Sequence, residues 1–103
     1  MTVEDLKALF EKHDNEFLKS ELIASPRSKR PDLNAFLLLD ELVPTEIGHY
    51  KGHGFDMVAG AEHDEIFLEP SVDKLAAVIT EDQVIELIRC GIRMDADGLR
   101  MYA

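Results

Sequence analysis

Ile92-Arg93-Met94-Asp95-Ala96-Asp97-Gly98-Leu99-Arg100-Met101-Tyr102-Ala103 is the stretch that decides the fold. Ile92 and Met94 alternate with Arg93 and Asp95, and Leu99, Met101 and Ala103 alternate with Arg100 and Tyr102. A period of two is that of a strand with one buried face. Asp95-Ala96-Asp97-Gly98 between the runs suits a type I turn with Gly98 left-handed, so a bulged antiparallel hairpin is predicted. The turn also resembles a fragment of a calcium loop, but the register fails. With Gly98 at the glycine position, Arg93 would fall at the first ligand position.

Working outward, Thr80-Glu81-Asp82-Gln83 is a capping box that opens a helix packing through Val84, Leu87 and Ile88, with Ile85 at its edge. Gly91 closes that helix in the left-handed conformation, and Ile92 supplies the apolar contact. Cys90 lies near its C-terminus, where the negative end of the dipole disfavours a thiolate, so a core thiol is expected. Ser71 caps a shorter helix through Val72, Leu75, Ala76 and Ile79, and Glu65 to Leu68 reads as a strand ended by Pro70. At the other end, Thr2 followed by Val3, Glu4 and Asp5 starts a helix. Its stripe of Val3, Leu6, Phe10, Phe17 and Leu18, widened by Leu9 and Leu22, predicts that it runs to Ser25 before Pro26. His13 falls on or beside that stripe. Asp32 caps a second helix, Leu33 to Val43, stopped by Pro44; apolar around much of its girth, it is expected to be covered on more than one side. The class is α+β. A small antiparallel sheet, the C-terminal hairpin plus one or two strands, carries three or four packed helices.

Two connecting segments stand out. Residues 26–31 form a basic linker bracketed by prolines, the kind of segment that is usually solvated but can hold a phosphate or an acidic partner. Residues 44–61 carry Gly48, Gly52, Gly54 and Gly60 with two histidines, a density of glycine that predicts a loop; Asp56 to Ala59 can form a short strand at its end. A loop of this length in a small domain is often functional.

The chain has 103 residues, 46% hydrophobic and 31% charged, with a formal net charge of −10. Those values describe a single domain over 1–103 and exclude wholesale disorder. No apolar run approaches the roughly 20 residues of a membrane helix. One cysteine cannot make an internal disulfide, and the mixed N-terminus resembles neither a signal nor a transit peptide, so a cytoplasmic location is expected. The charge is uneven. Residues 1–30 hold six acids and six bases, residues 31–70 hold nine acids against Lys51, and residues 71–103 hold six acids and four bases. An acidic field repels phosphate backbones and attracts basic protein surfaces, which disfavours direct nucleic-acid binding. Solubility alone is the plainer explanation of such a charge.

His49, His53 and His63 with Asp64 are the candidate metal ligands, and histidine with carboxylate suits zinc. Exposed histidines in a polar loop are the bland alternative, and Gly48, Gly52 and Gly54 argue against a helix that would align His49 with His53. Nucleophilic catalysis has no Gly-x-Ser-x-Gly, Walker loop or dinucleotide fingerprint to stand on. Helix, strand, two helices and a hairpin is also the order of a winged helix, whose DNA-reading helix would here begin Thr80-Glu81-Asp82-Gln83, with acids where phosphate should sit.

Glu62-His63-Asp64-Glu65-Ile66-Phe67-Leu68, then Thr80 to Gly91 and the hairpin to Tyr102, resembles small bacterial and phage-encoded proteins of unknown function. The resemblance covers the C-terminal part of the chain, implies a bacterial or prophage context, and brings no site residues. The reading is a non-enzymatic module that binds a protein with a basic surface, or an inhibitor mimicking nucleic-acid charge, through Glu62, Asp64, Glu65 and Glu69. A zinc-dependent hydrolase built on His49, His53, His63 and Asp64 is the alternative. A homodimer through Leu9, Phe17 and Leu22 is a third.

Overall fold

Thr2 opens the first helix with a reciprocal cap: its hydroxyl accepts from the Asp5 N–H at 3.1 Å, and the Asp5 carboxylate accepts from the Thr2 N–H at 3.0 Å. A computed structural model of the chain describes residues 1–44, 57–96 and 98–102. In it this helix, α1 (Val3–Lys12), is much shorter than the apolar stripe implies. His13 leaves helical geometry, and two single turns of 3-10 helix follow at Asp14–Glu16 and Ser20–Leu22. His13, Asp14 and Asn15 are weak helix formers, and the last two compete for backbone hydrogen bonds. Tertiary contacts reward the break. Leu18, at φ 63°, donates its N–H to the Ile88 carbonyl at 3.2 Å, and Glu16 accepts from Arg89 at 2.9 Å.

The second helix, α2 (Pro31–Leu42), starts earlier than expected. Arg30 is its cap residue, without a side-chain bond, and Pro31 at the first position supplies the preset φ. Asp32 is therefore not the cap; its carboxylate accepts the Leu33 N–H at 2.8 Å from inside the first turn. The helix is also covered on one side only. Asn34, Ala35, Leu38 and Leu39 are buried, whereas Leu33 and Leu37 remain 42% and 41% exposed.

Four strands make one antiparallel sheet in the order β1-β2-β4-β3: β1 (Val58–Glu62), β2 (Glu65–Leu68), β3 (Ile92–Asp95) and β4 (Gly98–Tyr102). β1 begins and ends later than the sequence suggests, so Gly60 and Ala61 belong to the ladder, opposite Phe67 and Ile66, rather than to a loop. Between β2 and β3 lie α3 (Val72–Val78), capped by Ser71, and α4 (Glu81–Arg89), whose capping box has Thr80 and Gln83 bonded both ways. Gly91 follows at φ 95°, and a Cβ there would lie 2.9 Å from Leu18 Cδ2. Gly98, at φ 128°, pairs with Asp95 to close the last hairpin.

The core lies between one face of the sheet and the helices. Leu6, Leu38, Leu39, Leu75, Leu87, Ile88 and Ile92 are among its largest fully buried members, joined by Leu99 and Met101 from β4. α4 is the hub, packed against α1, α2, β3 and both 3-10 turns. Asn34, 1% exposed, fastens α2 to it. Its amide donates to Glu86 at 3.0 Å and to the Cys90 sulfur at 3.3 Å, while its oxygen accepts the backbone N–H groups of Arg27 and Ser28. No described helix is long and apolar enough to cross a membrane.

Candidate functional site: the acidic hairpin

Strand alternation sorts the sheet into two faces. Ile92, Met94, Leu99, Met101, Ile66 and Leu68 turn toward the helices; Glu62, Glu65, Phe67, Arg93, Asp95, Arg100 and Tyr102 turn away. The β3–β4 half of this outer face is internally neutralised. Arg100 bonds Glu65 at 2.7 Å, pairs with Asp95, and lies 4.7 Å from the centre of the Phe67 ring. Arg93 lies 3.8 Å from the centre of the Phe17 ring and 3.7 Å from Asp14, and Phe17 meets Tyr102 edge-on at 6.1 Å. Each guanidinium thus has an aromatic ring and a carboxylate, in arrangements worth about 0.5–2 kcal/mol for the ring contact.

The β1–β2 half is different. Residues 57–69 contain four carboxylates and no lysine or arginine. Glu62 and Glu65 face each other across the ladder, and His63-Asp64 forms the two-residue turn between them, with His63 at φ 53°. Like charges directly opposite oppose pairing. Glu65 is relieved by Arg100, whereas among the described residues Glu62 has only His63 within reach, at 4.0 Å, with both side chains largely exposed. Asp64 is exposed at the tip. Glu69 is exposed beyond the far end of β2, where its N–H donates to the Met57 carbonyl at 2.8 Å. The structure therefore brings Glu62, Asp64 and Glu65 together at one end of the hairpin and sets Glu69 about four residues of strand away, roughly 13 Å at 3.3 Å per residue.

Of the candidate metal ligands, His49 and His53 lie outside the described residues, with most of the glycine-rich segment. His63 and Asp64 sit side by side in the turn, the His63 side chain 88% exposed. Among the described residues no group of three His, Cys, Asp or Glu side chains is placed to hold a metal ion. His13 has a different role. It ends α1 and its Nε2 lies 2.6 Å from a Glu81 oxygen that Lys12 also approaches at 3.3 Å. These contacts, His13 foremost, hold the Glu81 carboxyl below its ordinary range. Cys90 is 4% exposed, and burial foremost pushes its thiol up, assisted by the nearby Glu86.

Arg27 of the basic linker is docked onto the protein's own acids. Arg27 donates to Glu41 at 2.8 Å and to Glu86 at 3.2 Å, which lowers the Glu41 pKa through the hydrogen bond and the charge of Arg27. Of the proposed self-association residues, Leu9 and Phe17 are partly buried against the core, and Leu22 is 52% exposed. Sequence reading found the alternation of Arg93, Arg100 and Tyr102 but not that Arg93 meets Asp14 and Phe17 and Tyr102 meets Phe17, some 80 residues away in the chain, for which no local pattern exists. Comparison with protein-family models, with curated proteins and with solved structures finds nothing that matches this chain.

Proposed function

We propose that this domain is a non-enzymatic interaction module whose β1–β2 hairpin receives a basic surface of a partner protein. The observation that carries the reading is the contrast within the sheet: Arg93 and Arg100 are matched by Asp14, Asp95 and Glu65, while Glu62, Asp64 and Glu69 stay exposed with no lysine or arginine bonded to them among the described residues. With Arg100 already on Glu65, a partner's cation gains most at Glu62 and Asp64 on the exposed tip. The helix that would read DNA in a winged-helix arrangement, α4, is instead packed under α1, α2 and the 3-10 turns, with Glu81 and Asp82 in its first turn. That placement supports a protein partner over a nucleic acid.

The test is cross-linking of the protein in its own host, with partners identified by mass spectrometry, for the wild type and for a variant combining Glu62→Gln, Asp64→Asn and Glu69→Gln. A partner joined through its lysines or arginines should vanish with the variant. Its affinity for the purified protein should also fall steeply as salt rises from about 0.1 M to about 1 M, which shortens the screening length from roughly 10 Å to roughly 3 Å. A partner that ignores both changes would overturn the reading.

A further inference from the structure

Among the described residues, the edge of the sheet beside those acids is open. β1 is exposed at every position except the half-buried Gly60, Val58 being 41% exposed, and its extensive contacts among the described elements are with β2 alone. Val58, Ala59 and Ala61 are small apolar residues, and the strand has neither the lysine nor the proline that commonly blunts an edge. Its protective device is a register shift between Val58 and Gly60, which leaves Gly60–Glu62 as the regular stretch, next to the acidic turn. Because Glu62 and Glu65 close a two-residue turn, they form the hydrogen-bonded pair, and alternation makes Ala61 and Ile66 a non-bonded pair. The N–H and C=O of Ala61 therefore point outward from the sheet.

From this geometry we infer that the partner contributes an extended segment that pairs with the outer edge of β1, its lysines or arginines reaching Glu62 and Asp64. The inference rests on the reading above and specifies how that hairpin binds. Main-chain bonds along the edge supply affinity, and alternate side chains supply the choice of sequence. Charge selects the occupant: a second copy of this chain would bring another acidic hairpin and a net charge of −10 against the first, whereas a basic strand brings cations to Glu62 and Asp64, which no described lysine or arginine reaches.

The experiment uses the full chain, labelled for amide detection, and a short blocked peptide alternating Lys and Val. The controls are the same peptide N-methylated at its centre and the variant Ala61→Pro, a substitution an edge position tolerates when its N–H is not in the ladder. The expected result is slowed hydrogen exchange at β1, greatest at Ala61, with at least about tenfold weaker binding by the N-methylated peptide and by Ala61→Pro. Peptide-induced shifts at Glu62, Asp64 and Glu69 without protection of β1 would overturn the edge pairing and leave the acidic-hairpin reading intact. No response to the basic peptide would overturn both. Protection of β1 that grows with protein concentration in the absence of peptide would make a second copy the occupant and overturn the inference. Should Ala61→Pro fail to fold, the N-methylated peptide against wild-type protein decides the matter.

Discussion

The two edge strands of the sheet are built alike and treated oppositely. β3 buries Ile92 completely, packs against α1 and α4, and is held on its outer face where Arg93 meets Asp14 and Phe17. β1 is nearly as short, more apolar in composition, and rests on β2 with both faces open. Residues from the far end of the chain were recruited to finish β3. Nothing among the described residues was recruited to finish β1, and no described lysine or arginine pairs with Glu62 or Asp64. An edge that a fold completes for itself belongs to stability; an apolar edge left beside crowded carboxylates is better placed to serve recognition.

The sharpest way to break that contrast is to truncate one residue on each edge. Ile92→Ala should cost about 2–4 kcal/mol of unfolding free energy, by the lost burial and the cavity left behind. Val58→Ala, at 41% exposure, should cost less than about 1 kcal/mol. Denaturant midpoints at equal slope would measure both. Equal losses would mean that β1 is as integrated as β3.

Gly91→Ala comes next, because it disturbs the seat of residues 13–22, which carry Phe17 to Arg93 of β3. The position needs φ 95°, and the new methyl would meet Leu18 Cδ2 at 2.9 Å. A loss of about 1–2 kcal/mol is expected, with the Phe17–Tyr102 contact loosened while the β1–β2 hairpin stays unchanged. Amide shifts would localise the disturbance. Changes spreading into β1 would show that the two edges are coupled.

Acid gives the smallest and most graded effect. Glu81 has its pKa lowered in the fold by the hydrogen bonds from His13 and Lys12, and Glu41 by Arg27. A carboxylate with a depressed folded pKa binds fewer protons in the fold than in the unfolded chain, so its contribution is present above the ordinary glutamate range and is lost as pH falls through it to the folded value. Both pairs are exposed, and the loss should be modest, confined to acid pH, and reduced in Glu81→Gln. Stability that rises as pH falls through that range would contradict these pairs.

Legibility along the chain followed how local the deciding interaction was. Thr80 with Gln83, Ser71 with Lys74, and Gly91 after α4 act within a turn of backbone, so their residues announce them. The hairpin from Ile92 to Tyr102 was equally plain, because alternation needs only one buried face. The stretch from His13 to Leu22 was misread as helix because its apolar residues keep helical spacing while leaving the helix. Phe17 serves the outer face of the sheet, and Leu18 lies over Gly91. Asp32 was misread as a cap because a proline at the first position had already set the start. Of the candidate sites, the acidity of 62–69 was visible, but its division into a crowded tip and a separate Glu69 was not, since only pairing defines distance along a ladder.

By itself the sequence determined the class of the fold, the helix starts at Thr2, Ser71 and Thr80, the closing hairpin, and the excess of negative charge, all consequences of interactions a few residues long. Only the tertiary structure decided that Asn34 binds the basic linker to α2 and α4, that Asp14 and Phe17 meet Arg93 on the outer face of β3, and that, among the described residues, β1 pairs with β2 alone beside Glu62 and Asp64. Those outcomes depend on which surfaces meet once the core has closed, and that information is spread over the whole chain rather than written in any one stretch of it.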